Sequence, residues 1–270
     1  MEAGAQRGCR VSVLDPLSLP LVFSDGSASG MPEPSIGFDA VIPRFSPAWQ
    51  RQGRAVLMHW EARGVTCLNS ADAMSAARDK PYCLELFGAH GIPFPKSASV
   101  ESLYEAAGLL AGHFRFPLLI KRNDSTQGVG VERVWDSATA LSRIAELHAG
   151  EQPFLLQEFI AEAGGEDLRL LVVDGKVIAA MKRRAAPGDF RANIHLGGEA
   201  SHHVPTSVEA TMAIQATALL ELDVAGVDII PSRRGPLVLE VNACPGFEAL
   251  ERVSGVDVAG KMLDFLISGK

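Results

Sequence analysis

The chain has 270 residues, of which 47% are hydrophobic and 21% are charged. This length and composition predict two compact units or one elaborated α/β unit, and they exclude general disorder. The 25 basic and 32 acidic residues give a net charge of −7, which argues against a protein that binds nucleic acid or an anionic membrane surface. An anionic ligand would therefore need a local basic site.

We expect neither a targeting segment nor a membrane-spanning segment from the sequence pattern. The start of the chain lacks an apolar core after a basic stretch, and no later run reaches the ~18 apolar residues that a bilayer span requires. The four cysteines lack CxxC spacing, so we expect reduced thiols at Cys9, Cys67, Cys83 and Cys244. These patterns predict a cytoplasmic protein.

The first eighty residues predict an α/β domain with a mostly parallel sheet. Apolar strands at residues 9–16, 38–45 and 65–69 alternate with a Gly/Ser/Pro-rich connection, residues 24–37, and with a helix through residues 54–64. Such alternation is typical of βαβ units. Because no strand precedes the first of these, we expect this domain to lack its first βα unit.

The next region predicts two short helices and then a smaller sheet. The first helix begins after Asn69 or Ser70, and the second begins after Asp79 and ends before Gly91. Two strands joined by a polar, glycine-containing loop at residues 123–130 then predict a lid, which a helix and a third strand complete.

The last third of the chain predicts antiparallel strands and helices. The Asp174-Gly175 pair indicates a β-hairpin turn. A helix over residues 208–223, a second hairpin over residues 224–242 and a closing helix that ends near Gly269 follow. Together with the parallel strands expected earlier, this pattern predicts a mixture of α/β and α+β structure.

The second hairpin brings polar side chains together. A three-residue loop at 233–235 would pair Ser232 with Pro236, and that register places Asp228 opposite Glu240. The two-residue period of a strand then puts Asn242 on the same face. The residues expected to point into a core on the other face are Val227, Ile229, Leu239 and Val241.

These oxygen-bearing side chains suit a hard cation such as Mg²⁺. Two carboxylates without a nearby lysine would repel each other unless a cation neutralised them. A solvated polar face of an edge hairpin is the alternative interpretation of the same pattern. The sequence pattern alone favours neither the Mg²⁺ site nor the solvated face.

Basic residues near the lid and the first hairpin indicate an anion site. Lys121 ends an otherwise apolar strand, where a lysine is either a snorkelling edge residue or a phosphate ligand. The following loop offers backbone N–H groups but fits neither the P-loop nor the Rossmann pattern. Residues 182–193 contain four cations, which form either a solvated face or a receptor for phosphates and carboxylates: Lys182, Arg183, Arg184 and Arg191.

Seven segments are informative when they are taken together in chain order: RDK, LLIKR, TQGVGV, LLQEFIAEAGGEDLR, KRRAAPGDFRAN, AGVDI and LEVNACPG. They resemble the ATP-grasp carboxylate–amine ligases, and most closely the RimK type, which adds glutamate to a carboxyl terminus. The resemblance covers the chain from Cys9 onward. It implies an ATP-grasp fold with an N-terminal domain (1–80), a central lid subdomain (81–155) and a C-terminal metal-binding subdomain (156–270), which hold ATP between the last two.

The resemblance also implies roles for individual residues. The implied nucleotide contacts are Lys80, Lys121, Gln127, Gly128, Gly130, Gln157, Glu158, Phe159, Ile160, Glu162, Asp167, Arg191, Ala192 and Asn193. Of these, Lys121, Arg191 and Asn193 are the implied catalytic residues. Two Mg²⁺ ions, for which Mn²⁺ can substitute, have the implied ligands Asp228, Glu240 and Asn242. The implied substrate contacts are Arg169, Lys182, Arg183, Arg184 and Gly246.

The implied chemistry joins a carboxylate to an amine through an acylphosphate. L-glutamate is the expected amine donor, the C-terminal carboxylate of a ribosomal protein is the expected acceptor, and the enzyme is expected to be a homo-oligomer. The same chemistry on an amino-group carrier protein, a small peptide or a coenzyme is the alternative. A non-catalytic nucleotide-binding regulator and a kinase are competing classes, and a kinase would leave a stable phosphate ester.

Overall fold

The computed structural model describes residues 1–19, 37–123 and 130–269, so most of the expected connection at 24–37 lies outside the described residues. In these ranges the helices are α1 (Glu2–Ala5), α2 (Gln50–Glu61), α3 (Ala71–Ala76), α4 (Lys80–Ala89), α5 (Leu103–Gly112), α6 (Ser137–Ala149), α7 (Ser207–Leu219), α8 (Glu248–Ser254) and α9 (Val258–Ser268). The strands are β1 (Ala40–Val41), β2 (Thr66–Cys67), β3 (Ser97–Ser99), β4 (Leu118–Arg122), β5 (Val131–Val134), β6 (Phe154–Glu158), β7 (Glu166–Val173), β8 (Lys176–Arg184), β9 (Glu199–His202), β10 (Val224–Ile230) and β11 (Leu237–Asn242).

The N-terminal sheet is smaller than the sequence predicts. Within the described ranges it consists of β1 and β2, which pair in parallel as expected. The strand expected at residues 9–16 is not formed, so that prediction is wrong. Asp15 instead accepts a hydrogen bond of 3.0 Å from the Leu17 backbone N–H and starts a 3₁₀ turn. The side chain of Asp15 and the missing N–H of Pro16 both favour a turn over a strand ladder.

The two short helices begin where their capping residues predict. Ser70 caps α3, and Asp79 caps α4 by accepting from the Tyr82 backbone N–H at 3.1 Å. Asn69, the other candidate for the first cap, has a different role. Its Nδ2 donates to the carbonyl oxygens of Val224 and Ala243 at 2.7 and 2.8 Å, and its Oδ1 accepts from the Val224 N–H at 2.8 Å. This buried side chain therefore joins the start of β10 to the end of β11.

Two antiparallel sheets form the rest of the fold. The smaller has the order β3-β6-β4-β5, and its core packs against α5 and α6. The larger has the order β11-β10-β7-β8-β9 and packs against α7, α8 and α9. Asp174 and Gly175 form the predicted turn between β7 and β8, with left-handed φ values of 52° and 65°. The closing helix is two helices, α8 and α9, because Gly255 at φ 70° ends the first.

The turn of the β10–β11 hairpin differs from the expected one. Ser232 exchanges backbone hydrogen bonds of 3.2 and 3.1 Å with Gly235, so the loop has two residues and Ser232 does not pair with Pro236. This pairing alone would shift the register by one residue and move every later side chain to the opposite face.

A β-bulge restores the expected register further along the hairpin. Ile229 pairs with Val238, whereas Asp228 pairs with Glu240, so Leu239 is the extra residue on β11. The pairing of Asp228 with Glu240 is therefore as expected, although it arises in a different way. The expectation that Leu239 points into the core is wrong, because Val238 is the fully buried residue and Leu239 is half-buried in a cleft.

One hydrophobic core connects the N-terminal helices to the larger sheet. Val56 and Trp60 of α2 and Phe87 of α4 belong to the same buried cluster as Leu170 of β7 and Val227 of β10. Of the helices in the described ranges, none combines the length and apolar character needed to cross a bilayer. The core holds the hairpin in a fixed position beside α4.

Candidate active site

A cleft lies between the two antiparallel sheets, and most of the predicted site residues line it. Those residues are Lys80, Lys121, Gln157, Glu158, Phe159, Ile160, Asp167, Arg183, Arg191, Ala192, Asn193, Asp228 and Glu240. Other predicted residues do not line it, namely Gly130, Glu162, Arg169, Lys182, Arg184, Asn242 and Gly246. Gln127 and Gly128 lie outside the described residues. The structure therefore brings together residues that are up to 160 positions apart in the sequence.

An apolar wall in the cleft was not predicted. It contains Leu119, Val131, Ile230 and Leu239 beside Ile160. Leu119 precedes Lys121 by two positions on β4, so strand alternation alone could have placed both on one face. Leu239 could not have been found in this way, because its orientation depends on the bulge.

Two lysines contribute positive charge to the cleft. The Lys80 ammonium donates to the Asn123 carbonyl oxygen at 2.9 Å. Burial lowers the pKa of Lys121, and the charge of Lys80 acts in the same direction while that of Glu240 opposes it. In the described part of the chain, neither lysine forms an ion pair with a carboxylate. Both are therefore suited to an anionic ligand such as a phosphate group.

Gln157 lines the cleft and has an unsatisfied polar atom. Its side chain is 2% exposed, and its Nε2 donates to the Ser97 hydroxyl at 2.9 Å. Its Oε1 is buried and has no hydrogen-bond partner among the described residues. A buried acceptor without a partner is unfavourable, and an amino group such as that of adenine would satisfy it. The cleft therefore fits a nucleotide base beside an apolar wall.

Glu158 and Glu162 connect this segment to the tip of the β10–β11 hairpin. The Glu158 carboxylate accepts from the Lys96 backbone N–H at 2.7 Å and forms an ion pair with Arg234. Glu162 accepts from the Arg233 backbone N–H at 3.1 Å. The Glu162 carboxylate is therefore engaged at the hairpin tip and is not in the cleft.

Asp189 holds the side chain of Arg191, two positions later in the sequence, through an ion pair. The Asp189 carboxylate accepts from Arg191 Nε at 3.0 Å and from its Nη2 at 2.8 Å. It also accepts from the backbone N–H groups of Phe190 and Arg191 at 2.7 and 3.0 Å. The hydrogen bonds from Arg191 lower the pKa of Asp189 to about 2, so the pair is charged at neutral pH.

Arg133 links the smaller sheet to the loop that carries Arg191. The Arg133 guanidinium lies 5.0 Å from the Phe159 ring centre and 4.9 Å from that of Phe190. The two rings pack edge to face at 5.7 Å. Such cation–π contacts hold the segment after β6 and the loop after β8 against β5.

Asp228 is neutralised by two arginines, although the hairpin pattern places no lysine near the two carboxylates. Arg169 binds both carboxylate oxygens at 2.7 Å, and Arg183 Nη2 lies 2.9 Å from Oδ2. The arginines belong to β7 and β8, two strands outside the hairpin pattern of residues 224–242. Burial raises the pKa of Asp228, but the charges of the two arginines outweigh it and leave this pKa at about 2.

The cations at residues 182–191 do not form a single anion receptor in the described structure. Arg183 is buried and donates to both oxygens of Asp167 at 2.7 and 2.8 Å. Lys182 and Arg184, on the opposite face of β8, both pair with Glu166. Strand alternation separates these side chains, and each has a carboxylate partner. Of the three residues, Arg183 is the one that lines the cleft.

Glu240 and Asn242 offer oxygen atoms that fit a hard cation. Asn242 Nδ2 donates to the Gly226 carbonyl oxygen at 3.3 Å and to Glu240 Oε1 at 3.2 Å, which leaves the amide oxygen available. Asp228 Oδ1 accepts one hydrogen bond, from Arg169, and a carboxylate oxygen has about two acceptor positions. These three side chains therefore fit Mg²⁺ in chemical type, with Asp228 as a partly occupied donor.

Two family models match the chain. The RimK PreATP-grasp domain matches residues 1–74, and the RimK-like ATP-grasp domain matches residues 77–266. A probable alpha-L-glutamate ligase from Xanthomonas oryzae pv. oryzae is 43% identical over 268 residues, which cover 98% of this chain and 91% of the relative. A relative of the same name from Aeromonas salmonicida is 41% identical, with 98% and 90% covered.

Solved structures share the fold. The ATP-grasp ligase PsnB, in complex with a phosphomimetic variant of a minimal precursor, Mg and ADP, has a TM-score of 0.73 at 25% identity, with 99% of this chain and 92% of PsnB covered. A RimK domain ATP-grasp protein from Sphaerobacter thermophilus has a TM-score of 0.72 at 22% identity, with 98% and 93% covered. ATP-grasp ligases use ATP and Mg²⁺. The chain belongs to the RimK-like ATP-grasp family and is an ATP-dependent ligase that forms amide bonds.

Proposed function

We propose that this ligase joins L-glutamate, as the amine, to the C-terminal carboxylate of a peptide or protein. The observation that carries the proposal is the convergence of Lys80, Lys121 and Glu240 in one cleft, with both lysines lacking a described carboxylate partner. Glutamate comes from the names of the curated relatives, and a ribosomal protein as acceptor comes from the family resemblance. The proposal includes the division into an N-terminal domain (1–80), a lid (81–155) and a metal-binding subdomain (156–270).

The residues of the cleft receive the following roles. Gln157 and the backbone of the segment 158–160 hold the base against the apolar wall. Lys80, Lys121 and Arg191 bind and orient the phosphate groups, with Asn193 beside them. Asp228, Glu240 and Asn242 hold Mg²⁺, which supplies Lewis-acid stabilisation of phosphoryl charge when bound. We extend the same proposal to two ions and to Mn²⁺ as a substitute.

The reaction proceeds in two steps. A carboxylate oxygen attacks the γ-phosphorus of ATP, the bond to the bridging oxygen of ADP breaks, and an acylphosphate forms. The amine nitrogen then attacks the acyl carbon, the bond to phosphate breaks, and the nitrogen loses a proton as the amide forms. Lys121 and Arg191 stabilise the negative charge on the transferred phosphoryl oxygens.

Incubation with ATP, Mg²⁺, L-glutamate and candidate acceptors tests this function. We expect the acceptor mass to increase by whole glutamyl residues, with one phosphate released for each addition. Candidate acceptors are peptides with free C-termini, ribosomal proteins, amino-group carrier proteins and coenzymes, so the assay also distinguishes the alternative acceptors. A phosphorylated acceptor would identify a kinase, and an absence of ATP turnover with every acceptor would favour a regulator.

Replacing Asp189 with alanine tests how Arg191 is oriented. Without its bidentate partner the guanidinium loses its fixed direction, and we expect kcat to fall by about 10–100-fold. Asp189→Asn keeps an acceptor for the Phe190 and Arg191 backbone N–H groups, so its loss should be smaller. Steady-state kinetics with varied ATP provide the measurement. Unchanged kcat in the alanine variant would show that Asp189 does not position Arg191.

A further inference from the structure

Two arginines flank the segment that follows β11. After Asn242 the chain continues through residues 243–246, and Pro245 packs directly on Gly226, where a Cβ would lie 2.7 Å from the Pro245 Cβ. The segment is thus held beside the hairpin that carries Asp228 and Glu240.

Arg44 contacts the segment from the N-terminal region. Its Nη1 donates to the Pro245 carbonyl oxygen at 2.7 Å, and its guanidinium lies 4.9 Å from the centre of the Phe247 ring. The side chain is otherwise exposed. Arg44 therefore has donors that remain available to a ligand at the surface of this segment.

Arg78 has a buried donor without an acceptor. Its Nη2 donates to the Phe45 carbonyl oxygen at 3.3 Å, and its guanidinium lies 5.1 Å from the centre of the Phe45 ring. Its Nη1 is buried and has no hydrogen-bond partner among the described residues. Burial lowers the pKa of Arg78, and Cys244 acts in the opposite direction. A guanidinium N–H that is buried without an acceptor is unfavourable, and an anionic ligand would satisfy it.

The charges of these two arginines are not compensated within the described ranges. Neither Arg44 nor Arg78 forms an ion pair with a described carboxylate, whereas Arg169, Arg183 and Arg191 all do. Arg78 also precedes Lys80, a cleft residue, by two positions. Arg44 thus contacts the segment after Asn242 at Pro245, and Arg78 lies close enough to Cys244 of the same segment for their charges to interact.

We propose that Arg78, assisted by Arg44, binds a carboxylate group of the substrates of amide formation. A guanidinium fork binds a carboxylate through two parallel hydrogen bonds. The carboxylate belongs either to the amino acid or to the acceptor, and the inference rests on the proposed ligase function. Arg78 is thereby a substrate-binding residue outside the nucleotide site.

Kinetics of Arg78→Met and Arg78→Lys in the full chain test this proposal. We expect Arg78→Met to raise KM for one carboxylate substrate by about 10–100-fold, while KM for ATP changes by less than about twofold. Arg78→Lys keeps the charge without the fork and should have an intermediate KM. A raised KM for L-glutamate assigns the bound carboxylate to the amino acid, and a raised KM for the acceptor peptide assigns it to the acceptor.

A control variant, a second test variant and a direct binding measurement make the outcome decisive. Arg115→Met removes an exposed arginine that also lacks a described ion pair, and it should leave every KM unchanged. If Arg78→Met does not fold, Arg44→Met at an exposed position should raise the same KM. Calorimetric titration of L-glutamate and of the acceptor peptide, each with ADP and Mg²⁺ present, measures the loss of binding directly.

Unchanged KM values for both carboxylate substrates in a folded Arg78→Met variant, or a rise in KM for ATP alone, would overturn the assignment. An inactive wild-type enzyme would instead contradict the proposed function.

Discussion

Replacing Asp228 with alanine is expected to lower the free energy of unfolding by about 3–5 kcal/mol. The side chain is 4% exposed and neutralises Arg169 and Arg183, whose side chains are 14% and 4% exposed. Its removal leaves a single buried carboxylate, that of Asp167, to compensate the charges of both guanidinium groups. Denaturant unfolding measures this loss as a lower denaturant concentration at the midpoint, with an unchanged dependence of the unfolding free energy on denaturant.

The matched control for this experiment is Glu240→Ala. Glu240 faces Asp228 across the hairpin but is exposed and has no described ion pair, so its removal should change stability by less than about 0.5 kcal/mol. Asp228→Asn should lie between the two, because the amide oxygen still accepts hydrogen bonds. Equal stability losses in Asp228→Ala and Glu240→Ala would show that the arginines do not depend on Asp228.

Glu240→Ala should in turn abolish most of the ligase activity. As the exposed carboxylate of the proposed Mg²⁺ site, Glu240 is the ligand with the most available charge, and we expect turnover to fall by about 10³-fold. The Mg²⁺ concentration that gives half-maximal activity should also be higher in this variant than in the wild type. Glu248→Ala, which removes an exposed carboxylate at the start of α8, serves as the control and should retain wild-type rates. Wild-type turnover in Glu240→Ala would refute the metal assignment.

The sequence pattern does not distinguish the two carboxylates, yet the structure separates their roles. Asp228 and Glu240 lie in one short hairpin pattern, but the partners of Asp228 come from other strands, and Arg169 is 59 positions away. Pairing between distant strands is decided by tertiary packing and leaves no local pattern. The sequence therefore predicted which oxygen atoms meet, and it missed the cations that neutralise one of them.

Elements with strong local signals were predicted well. Asp79 caps a helix and Asp174-Gly175 forms a turn, because each depends on a side chain or a backbone preference within a few residues. The sequence patterns missed two features, because residues 9–16 do not form the expected strand and β11 contains a bulge at Leu239. A capping aspartate and an extra strand residue override simple apolar patterns at these places. The lining of the cleft followed from the family resemblance more than from any single pattern.

The side chain of Asn69 has a thermodynamic consequence. It binds backbone groups at both ends of the β10–β11 hairpin, and Trp60 shares a hydrophobic core with Val227. The boundary between the two matched family regions, 1–74 and 77–266, is therefore not a boundary in stability. Melting of the N-terminal helices would expose the core face of the hairpin and release both of its ends. Segments on both sides of that boundary are consequently expected to unfold in one cooperative transition.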